Sequence, residues 1–174
     1  MLPNIANLST QLDNNTALFL DILDTIPADK LMVRNQHTQW TIMESAEHVL
    51  MIEQSVCETL QGNTAPVQDR SPDSKVKQIA ELFMDFSKRL FVTKPIASKT
   101  VYKDIASYST DFRATRELIK GALEHHPDQE CKAFEHNLFG FLTKIEWIYY
   151  LIYHTERHLH QITRIEDNLE NMPA

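Results

Sequence analysis

The sequence predicts an all-α protein, a four-helix bundle with a short extra helical segment. Apolar residues recur at spacings of three and four over several long stretches, which is the pattern of amphipathic helices. Capping residues and prolines stand at the ends of these stretches. Only 3 glycines occur in 174 residues, and strand-rich sandwiches and barrels need more tight turns than so few glycines favour.

The first two helices have clear boundaries in the sequence. The first is predicted to run from Ile5 to Ile26, and Pro27 stops it. A short connection follows, with room for one brief helical turn. The second helix is predicted to begin at Thr41, because Thr41 and Glu44 have the spacing of a capping box, and to end at Gly62. Its apolar stripe consists of Ala46, Val49, Ile52, Val56 and Leu60.

The middle of the chain predicts two shorter helices. One opens at Ser71-Pro72, and its apolar stripe continues to Leu90. The segment 93–109, which contains Pro95, is expected to be irregular. The next helix is predicted from about Asp111 to Leu123. The residues expected on its buried face are Phe112, Leu118, Ile119 and Ala122.

The last helix is the longest. A loop is expected over residues 124–142, and Thr143 with Glu146 then repeats the capping-box spacing. The helix is predicted to continue to about Asn168. Because no repeat, low-complexity tract or linker interrupts the chain, we predict one domain over residues 1–174. Amphipathic helices of this length pack most simply as an antiparallel bundle.

Charge and composition restrict the partners. The formal net charge is −7, and no Lys/Arg cluster is present that could neutralise phosphates, so no nucleic-acid partner is expected. No apolar run is long enough to span a bilayer, and the first residues lack the pattern of a signal peptide, so we expect no membrane partner and a cytoplasmic location. Cys57 and Cys131 are expected to be ordinary thiols in that compartment.

Histidines carry the strongest functional signal. His154 and His158 are four residues apart, so they project from the same side of the last helix and could reach one ion. Alone, such a pair could equally be solvated or hydrogen-bonded. The motif differs from the HExxH of zinc proteases because position 155 is Thr, and Glu156 projects away from the ligands.

A third histidine, His48, lies in the second helix near its apolar stripe. It could be a satisfied core residue, but across an antiparallel bundle it could also face the pair on the last helix, and bundle cores often house metals. His160 should point to another side of its helix, either as a surface residue or as a residue that supports a ligand histidine. The remaining histidines are expected to be solvated loop residues: His37, His125, His126 and His136.

Three stretches together resemble a known family. They are QWTIMESAEHVLMIE, with a His eight residues after a Trp; HNLFGFLTKIEWIYYLIYH, with a Phe-Gly entry to the last helix; and HTERHLHQI, with a closing His-x3-His. In these motifs the chain resembles the DinB-like/YfiT-like superfamily of metal-dependent bundle proteins, with His48, His154 and His158 at the three ligand positions. Many members carry prolines around the Phe-Gly, which residues 137–141 lack.

The resemblance implies an up-down-down-up four-helix bundle, a homodimer, and a divalent ion such as zinc or nickel. Relatives include thiol-dependent S-transferases and a thiol-dependent maleylpyruvate isomerase. The expected partners are therefore a small-molecule substrate and a low-molecular-weight thiol. No catalytic residue is assigned, since Glu44 and Glu156 are more typical of caps and solvated faces, and Arg157 and Gln161 are candidates only for contacting the ligands.

Three hypotheses for function remain at this stage. An open three-histidine site favours a metal-dependent enzyme with thiol S-transferase or hydrolase-like activity. Without a clear acid or base, the alternative is a stress-response bundle that binds metal or ligand without turnover. The third is a dimerising helical scaffold that binds no metal.

Overall fold

The computed structural model describes residues 4–34, 40–87 and 101–170. The elements within these ranges are five helices and two short strands: α1 (Ile5–Thr25), α2 (Ile42–Gln61), β1 (Thr64–Ala65), α3 (Val76–Phe83), α4 (Ile105–Leu123), β2 (Glu130–Cys131) and α5 (Lys144–Glu170). The predicted all-α bundle with one short extra helix is confirmed. The expectations for Pro95 and His37 lie outside the described residues, as does Leu90 itself, although the helix whose apolar stripe was predicted to continue to Leu90 already ends at Phe83.

The capping signals locate the two helices that matter most for function. The Thr41 side chain accepts from the Glu44 N–H at 3.1 Å, and the Glu44 carboxylate accepts from the Thr41 N–H at 2.7 Å. At the start of α5, Glu146 N–H donates to the Thr143 hydroxyl at 3.1 Å and Thr143 N–H donates to Glu146 at 3.0 Å. Both predicted capping boxes are confirmed, and each satisfies exposed backbone donors of a first turn.

The predictions for α3 and α4 need correction. Helix α3 starts at Val76 and not at Ser71-Pro72, because tertiary hydrogen bonds hold the preceding backbone: Glu146 accepts from Lys75 N–H and Thr143 donates to the carbonyl of Pro72. Helix α4 starts six residues earlier than predicted. The reason is an N-cap at Asp104, whose carboxylate accepts from the N–H of Ser107 at 2.8 Å.

Two further details differ from the sequence analysis. Leu118, expected in the core, is 58% exposed. The predicted loop over 124–142 contains β2, which pairs antiparallel with β1 through Thr64 and Cys131.

Gly62 ends α2 as predicted, although its φ of −78° is ordinary. A Cβ at this position would lie 2.7 Å from the Cβ of Ala133, so close approach of the loop requires glycine here.

The two apolar clusters of the core define the topology. The first cluster joins the beginning of α1, the end of α2, α3, the end of α4 and the beginning of α5. The second joins the end of α1, the beginnings of α2 and α4, and the end of α5. Helices α1 and α5 therefore point one way and α2 and α4 the other. This is the up-down-down-up arrangement that the sequence resemblance implied.

Between the two apolar clusters lies a layer of buried polar side chains. It contains Asn15 and Thr16 on α1, Glu53 on α2, Arg116 on α4 and Thr155 on α5. Each of these residues falls between apolar residues of the first cluster and apolar residues of the second along its own helix. Within the described residues, no helix is long and apolar enough to cross a membrane.

Candidate metal centre

His48, His154 and His158 come together in the structure. His48 lies in the second turn of α2, and the other two lie one turn apart in the middle of α5. The ring centroid of His48 is 5.3 Å from that of His154 and 4.7 Å from that of His158. The rings of His154 and His158 are 4.5 Å apart. The antiparallel packing of α2 on α5 therefore brings the three predicted residues to one point.

Burial keeps these imidazoles neutral at pH 7. His48 and His154 are each 5% exposed, and His158 is half-buried. Loss of hydration lowers the pKa of His48 to about 4. It lowers the pKa of His158 to about 3, against the opposing effect of a hydrogen bond with Gln161. Burial and the neighbouring rings hold the pKa of His154 well below its ordinary value. Neutral imidazole is the form that binds a metal.

The Nδ1 atoms of all three rings are buried and have no hydrogen-bond partner among the described residues. Nearly all buried polar side-chain atoms in proteins have a hydrogen-bond partner. Three buried nitrogens without one, in a single cluster, therefore favour a partner that binds all three. The candidate ligand nitrogens lie within 4.8 Å of one another. Two nitrogens bound to the same ion at about 2.1 Å can be no more than about 4.2 Å apart, so the three rings already lie near the separation that a shared ion requires.

The donor set therefore fits a divalent metal. Imidazole suits zinc, nickel, copper and iron, and three ligands leave coordination positions open. The structure shows a buried three-histidine group that could bind a metal ion.

Aromatic rings surround the cluster. Trp40 packs edge-on against His48, with ring centroids 5.0 Å apart, and stacks over His158 at 6.4 Å. On the other side, Phe83 and Tyr150 contact His154 at 5.7 and 5.8 Å. These rings carry no formal charge and keep water from much of the imidazole surface. Phe83 and Tyr150 were not predicted at the site, since the sequence placed Phe83 only on an apolar stripe and gave no signal for Tyr150.

Arg157 holds the end of α3 against α5. Its guanidinium donates to the carbonyl oxygens of Phe83 at 2.9 Å and Asp85 at 3.1 Å. These bonds hold the backbone of Phe83 at α5, where the Phe83 ring lies 5.7 Å from that of His154. The sequence named Arg157 only as a candidate for contacting a ligand histidine; in the structure its guanidinium bonds to the backbone at and just after the end of α3.

Glu44 and Glu47, the carboxylates closest to His48 in sequence, have other partners. Glu44 pairs with Arg34 besides forming its capping box. Glu47 accepts from the N–H groups of Val101 at 2.6 Å and Tyr102 at 2.9 Å. Glu156 is half-buried, and burial raises its pKa. The capping role predicted for Glu44 is confirmed.

The other histidines within the described residues do not belong to this three-histidine group. His160 is exposed as expected and stacks on Phe86 with ring centroids 4.2 Å apart. His125 and His126 are exposed loop residues. The prediction for His136 is wrong, because its ring is half-buried and stacks on Phe139 at 4.8 Å.

Cys57 and Cys131 are both buried and free, as expected of ordinary thiols. Burial raises the pKa of Cys131 to about 11 and also raises that of Cys57. Both thiols are therefore protonated at pH 7, which makes them poor nucleophiles.

Fold and site together define a helical-bundle protein with a candidate three-histidine metal centre. A family model described as the DinB superfamily matches residues 11–162, a stretch that includes all three histidines. The chain belongs to the DinB superfamily, as its motifs suggested. Searches of curated proteins and of solved structures found no match for this chain.

Proposed function

We propose that this protein binds one divalent metal ion, zinc or nickel, through His48, His154 and His158, and that it is a metal-dependent enzyme acting on a small molecule. The observation that carries the proposal is the convergence of three neutral, buried imidazoles whose Nδ1 atoms have no partner among the described residues. A site built from three protein ligands is typical of catalysis, because structural zinc sites are normally closed by four.

The proposed reaction is thiol-dependent S-transfer, or hydrolysis, on a small electrophile. An ion held by three imidazoles would supply Lewis-acid activation of a thiol or of water at its open positions. The histidines hold the ion, and Trp40, Phe83 and Tyr150 limit the access of bulk water to it. The thiol branch is supported by the resemblance to thiol-dependent transferases noted from the sequence motifs.

Metal binding is tested first. Protein purified without a His tag should contain about one zinc or nickel ion per chain, and His154→Ala should lose it because two imidazoles hold an ion much more weakly. His160→Ala is the matched control, since His160 is an exposed histidine on the same helix. Equal metal content in His154→Ala and the parent protein would overturn the proposal.

Catalysis is tested separately. The metal-loaded protein should transfer a low-molecular-weight thiol to a small electrophile, or hydrolyse an activated ester. His154→Ala should lose the activity and His160→Ala should keep it. A parent protein that binds the metal but turns over neither substrate class would support a different function for the same site.

That second function is a bundle that binds metal or ligand without turnover, as in a stress response. The observation favouring it is that Glu44 and Glu47, the carboxylates closest to His48 in sequence, are both engaged by other groups. No general base is assigned. A homodimer and a cytoplasmic location remain predictions from the sequence, as does the single domain.

A further inference from the structure

A buried ion pair crosses the core beside the candidate metal centre. Arg116 on α4 is 1% exposed and pairs with Glu53 on α2, which is fully buried. The same guanidinium donates to the hydroxyl of Thr155 on α5 at 2.9 Å and to the amide oxygen of Asn15 on α1 at 3.2 Å. One side chain therefore contacts the other three long helices.

The contacts of this ion pair are adjacent to the histidines in sequence. Thr155 follows His154 directly on α5, and Glu53 lies five residues after His48 on α2. The Thr155 hydroxyl also lies 3.3 Å from the Glu53 carboxylate, to which it can donate. The two helices that bring the histidines together are thus linked by directional bonds next to the site.

Stability does not explain this arrangement well. A buried ion pair is often no more stabilising than apolar residues of similar volume, because both charges lose their hydration. Here, in addition, Oε2 of Glu53 and Nε of Arg116 are buried and have no partner among the described residues. Each unpartnered atom costs stability. The best-attested use of such pairs is to fix the register between helices.

The apolar layers on either side cannot set the register as sharply. Apolar contacts are non-directional, so they tolerate small sliding of one helix along another. A metal ion shared between the two helices does not tolerate such sliding, because its bonds to imidazole have a fixed length of about 2.0–2.1 Å. Within the described part of the chain, the hydrogen bond from Thr155 to Glu53 joins a buried side chain of α5 directly to one of α2, and Arg116 is bonded to both residues.

We infer that Glu53, Arg116 and Thr155 are positioning residues that set the register of α2 against α5 and so bring His48 to the ligand distance from His154 and His158. This inference rests on the proposed function, because it assumes that the three histidines bind a metal. It assigns no contact with the ion to these residues.

The test compares stability with metal affinity. In the double variant Glu53→Leu/Arg116→Met both charges are removed together, so no unpaired charge remains in the core. We expect a metal-free melting temperature equal to or above that of the parent protein. We expect the affinity for Zn²⁺ or Co²⁺ to fall about 10- to 100-fold, as when residues supporting ligands are lost, and the visible spectrum of bound Co²⁺ to change.

A matched control lies on the same helix. Lys120→Met removes an ion pair with Asp13 and Glu117 one turn after Arg116, at the edge of the bundle. It should leave both the metal affinity and the Co²⁺ spectrum unchanged.

A second pair of variants keeps the inference testable if the double variant does not fold. Thr155→Val removes the hydroxyl and keeps the ion pair, and it should weaken metal binding about tenfold. Thr155→Ser restores the hydroxyl and should restore the affinity. Unchanged affinity and spectrum in Glu53→Leu/Arg116→Met, or in Thr155→Val, would overturn the inference. If the parent protein itself bound neither Zn²⁺ nor Co²⁺, the proposed function would fail instead.

Discussion

The first turn of α5 buries a carboxylate that has partners within the chain, whereas its middle turns bury two histidine rings that each leave a nitrogen without a partner among the described residues. The carboxylate of Glu146 is fully buried and accepts hydrogen bonds from the Arg70 side chain and from the N–H groups of Lys75 and Thr143. Two turns later, the Nδ1 atoms of His154 and His158 are buried without a partner among the described residues.

The difference separates a structural polar group from a binding group. Burying a polar atom costs free energy unless a hydrogen bond replaces its water. At Glu146 the chain itself provides that replacement, so the group is complete as folded. At the Nδ1 atoms of the two histidines no described residue provides it, so their burial carries a cost that a bound ion would offset. Neutral imidazoles also accept a cation without the repulsion that charged ones would exert.

The pH dependence of the metal-free protein should show the largest effect. The pKa of His48 is about 4 and that of His158 about 3 in the folded chain, against about 6.5 when unfolded. Below pH 6.5 the unfolded chain binds protons that the folded chain does not. Stability is therefore lost as the pH falls, with a slope that rises toward about 1.4 kcal/mol per pH unit for each such histidine once the pH is well below 6.5.

Urea unfolding of EDTA-treated protein between pH 6.5 and 5 measures this slope. His48→Leu should reduce the slope of the unfolding free energy against pH by the contribution of one histidine. Burial also lowers the pKa of His136, so His136→Gln measured in parallel isolates that contribution. A stability that does not change with pH in this window would contradict the picture of three desolvated, neutral rings.

The next largest effect is expected at the first turn of α5. Arg70→Met leaves the buried carboxylate of Glu146 without its charged partner, which should lower the free energy of unfolding by about 3 kcal/mol. The metal affinity of the folded protein should not change, because the first turn does not touch the histidines. Chemical denaturation and metal titration measure the two quantities on the same sample.

Lys77→Met is the control for Arg70→Met. Lys77 pairs with Glu81 across an exposed part of α3, with side chains 88% and 65% exposed. Such a pair is worth at most about 0.5 kcal/mol. If Arg70→Met weakened metal binding as strongly as it lowered the free energy of unfolding, the first turn of α5 would affect the histidines as well as the stability of the fold. The contrast between a structural first turn and a metal-binding middle would then be wrong.

The smallest effect is expected from the cap. Thr143→Ala removes the hydroxyl that accepts from the N–H of Glu146 and donates to the carbonyl of Pro72. Loss of an N-cap side chain costs about 1 kcal/mol of stability. Thr143→Ser should recover most of it, as thermal unfolding will measure. A loss in Thr143→Ala that serine did not recover would mean that the methyl group, and not the cap, is responsible.

Helix type and the capped helix starts were predictable from the sequence because they depend on local chemistry. The Thr41 and Thr143 caps are bonds within one turn, and the apolar stripe of α2 repeats with the helical period. The start of α4 at Asp104 was missed, although the side chain bonds only three residues ahead, because irregular structure was expected around Pro95. The start of α3 could not be predicted, since it depends on Glu146, seventy residues away.

In the candidate site, too, some features were predictable from local sequence and others were not. The spacing of His154 and His158 placed them together on one helix face, and the motifs added His48. The sequence by itself thus determined which imidazoles are available and that helices carry them. Only the tertiary structure decided that these rings meet, that burial keeps them neutral, and that Phe83, Tyr150 and the Arg116 network lie around them. The physical reason is that desolvation and ring-to-ring distance arise from residues remote in the chain, which no local pattern records.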